Sequence, residues 1–129
     1  MNISIRLRLY YYLHEFELAI EESHKINNES IYSYEAFFIR IISSINLGKY
    51  DLAVSNLENF IINHEDDYFG YSILAYAHFK QGNEQKSVEC YKEAIKLDNR
   101  FNDDIDSLES IFYGLEGIKE IYKKILVLI

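Results

Sequence analysis

A period of 34 residues organises most of this chain. Residues 47–51 (LGKYD) and 81–85 (QGNEQ) are 34 positions apart and hold the same place relative to the apolar residues around them. At the same offset, eight further pairs keep apolar or small character: Phe37 and Tyr71, Ile41 and Ala75, Ile45 and Phe79, Ala53 and Ser87, Val54 and Val88, Leu57 and Tyr91, Phe60 and Ala94, and Ile61 and Ile95. A fixed period of this length indicates a repeat architecture, in which copies of one small unit stack on one another.

Each copy has the pattern of a helical hairpin. Its apolar residues recur at steps of three and four, as on the buried face of an amphipathic helix, and one glycine-containing turn interrupts them. Gly48 and Gly82 stand just after the first helix, where glycine closes a helix in the left-handed conformation at little steric cost. The chain has no proline and only 5 glycines, too few for the many turns of an all-β fold. The sequence therefore predicts an all-helical protein of antiparallel two-helix units.

Residues 68–101 carry the pattern most completely, and there the chain resembles a tetratricopeptide repeat. The resemblance rests on the order of aromatic, small and glycine residues at this period: Tyr71, Leu74, Ala75, Phe79, Gly82, Ser87, Tyr91 and Ala94. Residues 34–67 are a looser copy, and residues 1–33 match mainly the second-helix half. The chain departs from the family where Glu65 and Asn99 replace the proline that usually ends a repeat. The resemblance implies one domain over residues 1–129, an α-solenoid with right-handed superhelical winding.

The last segment, residues 102–129, matches the frame in hydrophobicity but not in motif. Asn102, Asp103 and Asp104 suit the start of a helix, because their side chains cap free N–H groups and complement the helix dipole. Gly114 and Gly117 disfavour a continuous helix, so we expect a break near them. The segment is either a degenerate fourth hairpin or a capping helix that covers the last core face.

Composition and motifs argue against several classes of function. The formal charge of −8 disfavours nucleic acid as a partner. The four histidines are far apart and the single cysteine, Cys90, has no basic residue closer than Lys92, so we expect no metal site, no cofactor and no enzymatic activity. The N-terminal residues lack the pattern of a signal peptide and no apolar run is long enough to span a membrane, which together predict a cytoplasmic protein.

The resemblance also implies where a partner binds. In tetratricopeptide proteins the first helices of successive hairpins line a concave groove, and ligands usually lie in it. The positions that map to this groove are mostly apolar or aromatic, unlike the Lys, Arg and Asn of the repeats that clamp chaperone carboxylates. The predicted partner-binding residues are Tyr12, Phe38, Ile39, Ile42, Ile45, Phe69, Ile73, Tyr76 and Phe79. We therefore expect a protein adaptor that binds an apolar helix or segment of another protein.

The sequence alone allows other occupants of this groove. The C-terminal apolar stripe fits the same surface from within the chain: Ile118, Ile121, Tyr122, Ile125, Leu126 and Ile129. A second copy fits it too, which gives a homodimer. Alternatively, Phe38, Ile42 and Tyr76 pack between helices as core, in which case Phe38→Glu or Tyr76→Glu unfolds the chain instead of only abolishing binding. Membrane association through the final helix is the weakest of these alternatives.

Overall fold

The computed structural model describes residues 2–98 and 113–129, and within these ranges every regular element is an α-helix and no β-strand occurs. The described residues contain seven helices: α1 (Ile3–Tyr12), α2 (Phe16–Ser23), α3 (Ser33–Asn46), α4 (Tyr50–Ile62), α5 (Tyr68–Lys80), α6 (Glu84–Leu97) and α7 (Ile118–Leu128). The prediction of an all-helical fold is confirmed. The capping role predicted for Asn102, Asp103 and Asp104 lies outside the described residues.

The chain divides into two compact units, with the boundary between Lys49 and Tyr50. In unit 1, α2 packs against both α1 and α3, and α1 also contacts α3. Fully buried apolar side chains come from all three helices, among them Leu7, Ala19 and Ile41. Residues 1–33, where the sequence matches mainly a second helix, contain the two helices α1 and α2.

In unit 2, α5 is the central helix and contacts α4, α6 and α7. Its sequence, YFGYSILAYAHFK, is apolar around nearly the whole circumference, and a helix of that kind is stable only when it is surrounded. Eight of the nine positions from Gly70 to His78 are buried, and Tyr71 is the exception. The core of unit 2 therefore lies around α5, with Leu57 of α4 and Tyr91 of α6 completing it.

The hairpin of α5 and α6 closes through a left-handed glycine. Gly82 has φ +86°, and the backbone N–H groups of Gly82 and Asn83 donate to the carbonyls of Phe79 and His78 at 3.0 and 2.9 Å. The Asn83 side chain then accepts from the N–H of Lys86 and caps α6. Gly48 ends α3 with the same sign of φ, +77°. The predicted role of these two glycines is confirmed.

The predicted break before the last helix is also present. Gly114 and Gly117 both have positive φ, and Gly117, at φ +70°, is the residue immediately before α7. Glycine adopts this conformation readily, and residues 113–117 form turns rather than helix. Helix α7 begins at Ile118, from where it packs against α5 and α6.

Candidate partner-binding site

Helix α7 covers one face of the α5–α6 hairpin with an apolar stripe. Ile118, Ile121, Tyr122 and Ile125 are all buried, and their spacing of i, i+3, i+4 and i+7 places them on one side of the helix. Lys123, Lys124 and Val127 point outward and are exposed, as are Leu126 and Ile129 of the predicted stripe. The packing is that of an amphipathic helix seated on a helical surface, here within one chain.

Tyr122 holds α7 to both helices of the hairpin. Its hydroxyl donates to the backbone carbonyl oxygen of Ser72 in α5 at 2.5 Å. Its ring meets the ring of Tyr91 in α6 edge to face, with centroids 5.2 Å apart. Complete burial raises the pKa of the Tyr122 hydroxyl well above its ordinary value, although the bond to Ser72 opposes this. The hydroxyl therefore stays protonated and keeps donating at any physiological pH.

Tyr76 makes a second contact between α5 and the C-terminal segment. Its hydroxyl donates to the backbone carbonyl of Glu116, the residue before Gly117, at 2.6 Å. Burial raises the pKa of Tyr76 above its ordinary value, with smaller contributions from Tyr50 and Glu116. The hydroxyl of Tyr76 on α5 and the hydroxyl of Tyr122 on α7 thus hold residues 116–122 against α5.

A polar chain connects the C-terminal end of α5 to α4. His78 is buried, and its Nδ1 lies 3.1 Å from Oε1 of Gln81, whose Nε2 donates to Oδ1 of Asp51 at 2.6 Å. The Nε2 atom of His78 lies 3.7 Å from a carboxylate oxygen of Glu58. Burial lowers the pKa of His78, and this outweighs the opposing effects of Gln81 and Glu58. The imidazole is therefore a neutral structural group, and the bond to Gln81 assigns its proton to Nδ1.

Six of the nine predicted partner-binding residues are buried in the chain: Phe38, Ile39, Ile42, Ile45, Ile73 and Tyr76. Phe69 and Phe79 are half-buried, and Tyr12 is exposed. In unit 2, Ile73 and Tyr76 lie on the helix that α7 covers, at 0% and 2% exposure. Their role in binding a partner stays a prediction.

The outer face of α1 contains one of the nine predicted partner-binding residues, Tyr12. Ile5, Leu9, Tyr12 and Leu13 are exposed, at i, i+4, i+7 and i+8, and we call this row the α1 stripe. Arg6 and Arg8 lie on either side of it. Arg8 forms a two-bond ion pair with Glu35, and Arg6 lies 3.0 Å from the carboxylate of Glu22.

Reactive groups and metal ligands do not gather in the part of the chain described by the structure. No group of three His, Cys, Asp or Glu side chains there is arranged to hold a metal ion. Burial raises the pKa of Cys90 to about 12, so its thiol is neutral and a poor nucleophile. None of the described helices has the length and apolar character needed to cross a membrane.

Comparison with known protein families agrees with the architecture of unit 2. The family model described as tetratricopeptide repeat matches residues 68–101, the segment that contains α5 and α6. A comparison with curated proteins finds no match. With its period, its left-handed glycine turn and its helical pair, residues 68–101 are a tetratricopeptide repeat, and the family predicted from the sequence is confirmed.

Proposed function

We propose that this chain is a protein-interaction module that binds an amphipathic helical segment of a partner on the face of α5 now covered by α7. Tetratricopeptide repeats generally mediate protein–protein contacts and are generally not catalytic, so the family supports the class of function. The choice of surface rests on the residues around Ser72 and Tyr76. Partner binding there exchanges one amphipathic helix for another.

One observation carries this proposal: the α5–α6 hairpin already holds an amphipathic helix. Helix α7 places three isoleucines and Tyr122 on it. The bond donated by Tyr122 and the bond donated by Tyr76 of α5 both end on backbone carbonyls. A backbone acceptor does not depend on side-chain identity, so any helix with the same spacing can use the Ser72 carbonyl. The favoured partner therefore presents apolar residues at i, i+3, i+4 and i+7, with a hydrogen-bond donor near the centre.

Electrostatics narrow the chemistry of the partner further. The chain has a formal charge of −8, whereas α7 carries Lys119, Lys123 and Lys124 against a single acidic residue, Glu120. A helix with basic residues on its outer side approaches such a chain with favourable long-range attraction, and an acidic one is repelled. A basic amphipathic helix is thus the best fit.

The second candidate function is a self-contained structural module in which α7 covers α5 permanently. Its supporting observation is the depth of the contact, since Ile118, Tyr122 and Ile125 have no exposed surface. The two candidates differ in one measurable property, which is whether α7 can be replaced by an equivalent helix.

The test uses the full chain with Ile121→Asp and Ile125→Asp, which place carboxylates on the buried side of α7 and detach it. A synthetic peptide of residues 113–129 is titrated into this variant and into the unaltered chain by calorimetry. The control is Val127→Asp, on the same helix at 86% exposure, which leaves α7 seated. We expect the peptide to bind the variant whose α7 is detached, and to bind neither the unaltered chain nor the Val127→Asp control. If the detached variant keeps its helical content and does not bind the peptide, the exchange of helices is wrong.

A further inference from the structure

We propose that the partner helix bound on α5 carries a tyrosine at the position that Tyr122 has in α7, and that this tyrosine determines which helices bind. The inference rests on the proposed function, since α7 is taken as the template of the partner. The three isoleucines of α7 contribute apolar area, which many side chains can supply. Tyr122 differs from them because it adds a hydrogen bond and a ring contact of fixed geometry.

The hydrogen-bond acceptor that the hairpin offers is a backbone carbonyl in the middle of α5. The side-chain hydroxyl of Ser72 donates to the carbonyl of Tyr68 within α5 at 2.7 Å, and the carbonyl of Ser72 accepts from Tyr122. The axes of packed helices are about 8–10 Å apart, so the donor must lie at the far end of a long side chain. A tyrosine hydroxyl reaches across this gap, whereas a serine or threonine hydroxyl stays beside its own backbone.

The second contact selects an aromatic ring. The rings of Tyr91 and Tyr122 meet at an interplanar angle of 64°, and Tyr91 is itself only 1% exposed, so the two rings meet in the core. An edge-to-face pair of this kind is more favourable than its buried area alone. A lysine in place of Tyr122 would reach the carbonyl but would bury a charge without a ring, and a phenylalanine would supply the ring without the donor. Tyrosine satisfies both requirements.

The site also disfavours a negative charge at this position. Tyr122 is completely buried, which raises the pKa of its hydroxyl well above the ordinary value, and the nearby Tyr91, Tyr76 and Cys90 raise it further. A phosphate on the ring oxygen carries a charge of about −1.5 to −2 and removes the hydroxyl donor. Its oxygens would face the carbonyl of Ser72, which is an acceptor too. Phosphorylation of the partner's tyrosine therefore prevents binding.

Tyr76 sets the direction in which the partner helix runs. Its hydroxyl donates to the carbonyl of Glu116, which precedes Tyr122 in the chain. The hairpin thus accepts a hydrogen bond from the tyrosine at one point and donates one to an upstream carbonyl at another. A helix that runs the opposite way along α5 does not meet both groups. The predicted recognition pattern is that of residues 118–125, with isoleucine or a similar residue at i, i+3 and i+7 and tyrosine at i+4.

Calorimetry with peptides of residues 113–129 tests this inference. The binding protein is the full chain with Ile121→Asp and Ile125→Asp, and the peptides carry tyrosine, phenylalanine, leucine or phosphotyrosine at position 122. We expect the phenylalanine peptide to bind about fivefold more weakly than the unaltered peptide, because one buried hydrogen bond is lost. The leucine peptide should bind more weakly still, since it also loses the contact with Tyr91, and the phosphotyrosine peptide should show no binding.

The control is a peptide with Tyr122→Phe and Val127→Tyr, which keeps a tyrosine but places it at a position that is 86% exposed in the chain. It should bind no better than the phenylalanine peptide. If the unaltered peptide binds and the phenylalanine or phosphotyrosine peptide binds as tightly, the selection of tyrosine is wrong and the proposed function stands. If the unaltered peptide does not bind a detached variant that keeps its helical content, the proposed function and the selection of tyrosine are both wrong.

Discussion

The hydroxyl of Tyr122 donates to the backbone carbonyl of Ser72, 50 residues earlier in the chain. This bond joins α7 to the central helix of unit 2 at a point where both partners are buried. A buried hydrogen bond of this kind contributes about 1 kcal/mol to stability. It also defines how α7 is placed along α5.

Removing only this hydroxyl is therefore informative. We expect Tyr122→Phe to lower the free energy of unfolding by about 1 kcal/mol, since the ring still fills its place against Tyr91. Urea unfolding followed by circular dichroism measures the change. Tyr10→Phe is the control, because Tyr10 lies on α1 in unit 1 and is only half-buried. Equal effects of the two substitutions would contradict the assigned role of Tyr122.

The left-handed turn between α5 and α6 gives a second prediction. At φ +86°, Gly82 adopts a conformation that side chains disfavour, and a Cβ there meets no atom within 4 Å. The cost of Gly82→Ala is thus one of backbone conformation alone, about 1 kcal/mol. Gly82→Asn should cost less, because asparagine tolerates this region better than alanine does. The urea midpoints of the two variants check the order, and an alanine variant as stable as the original chain would contradict it.

The buried imidazole of His78 makes stability depend on pH. Burial lowers the pKa of His78 in the folded chain, whereas in the unfolded chain it titrates near its ordinary value of about 6.5. The unfolded state therefore binds the proton first as pH falls. Stability is complete above pH of about 6.5 and decreases as pH falls toward the folded pKa, below which the loss is constant.

Substituting His78 separates its contribution to the pH dependence of stability from the contribution of the many carboxylates. The groups that face His78 are Glu58 on α4, Gln81 at the end of α5, and Lys86 and Glu89 on α6. His78→Gln removes the titration, so the difference in unfolding free energy between pH 8 and pH 5 should shrink. The unaltered chain, measured in the same buffers, is the reference for this difference. If His78→Gln leaves it unchanged, the imidazole does not contribute as described.

Tyr76 and Tyr12, which the sequence predicts on one binding surface, should differ in their tolerance of replacement by glutamate. Tyr76 is buried beside Glu116, whereas Tyr12 is exposed at 58%. We expect Tyr76→Glu to lose helical content, because an unpaired buried carboxylate costs several kcal/mol. Tyr12→Glu should keep it. Far-ultraviolet circular dichroism distinguishes them, and a fully helical Tyr76→Glu chain would show that this side chain is accessible after all.

The features that could be predicted from the sequence are those that depend on local residues. The turns at Gly48 and Gly82 and the break at Gly117 before α7 were predictable, because helix ends depend on local residues and on the 34-residue period. The face that each helix buries was harder to predict. Along α5 apolar residues occur on every side, so the sequence does not separate Ile73 or Tyr76 of the core from residues left at the surface.

Contacts between distant residues were not predictable at all. The carbonyls of Ser72 and Glu116 accept from tyrosines 50 and 40 residues away, and a backbone acceptor leaves no mark on the sequence. The ion pairs of Arg6 and Arg8 likewise depend on how α1 packs against α2 and α3. Only the structure shows that these cations are engaged and that the α1 stripe between them carries no net charge.

The central claim is that α7 lies on the α5–α6 hairpin as an amphipathic helix, with Tyr122 between Ser72 and Tyr91. A nuclear Overhauser spectrum of the full chain with labelled tyrosine rings tests it most directly. The account predicts cross-peaks between the rings of Tyr91 and Tyr122, whose centroids are 5.2 Å apart, and their loss in Ile125→Asp. A folded, helical chain without these cross-peaks would contradict it.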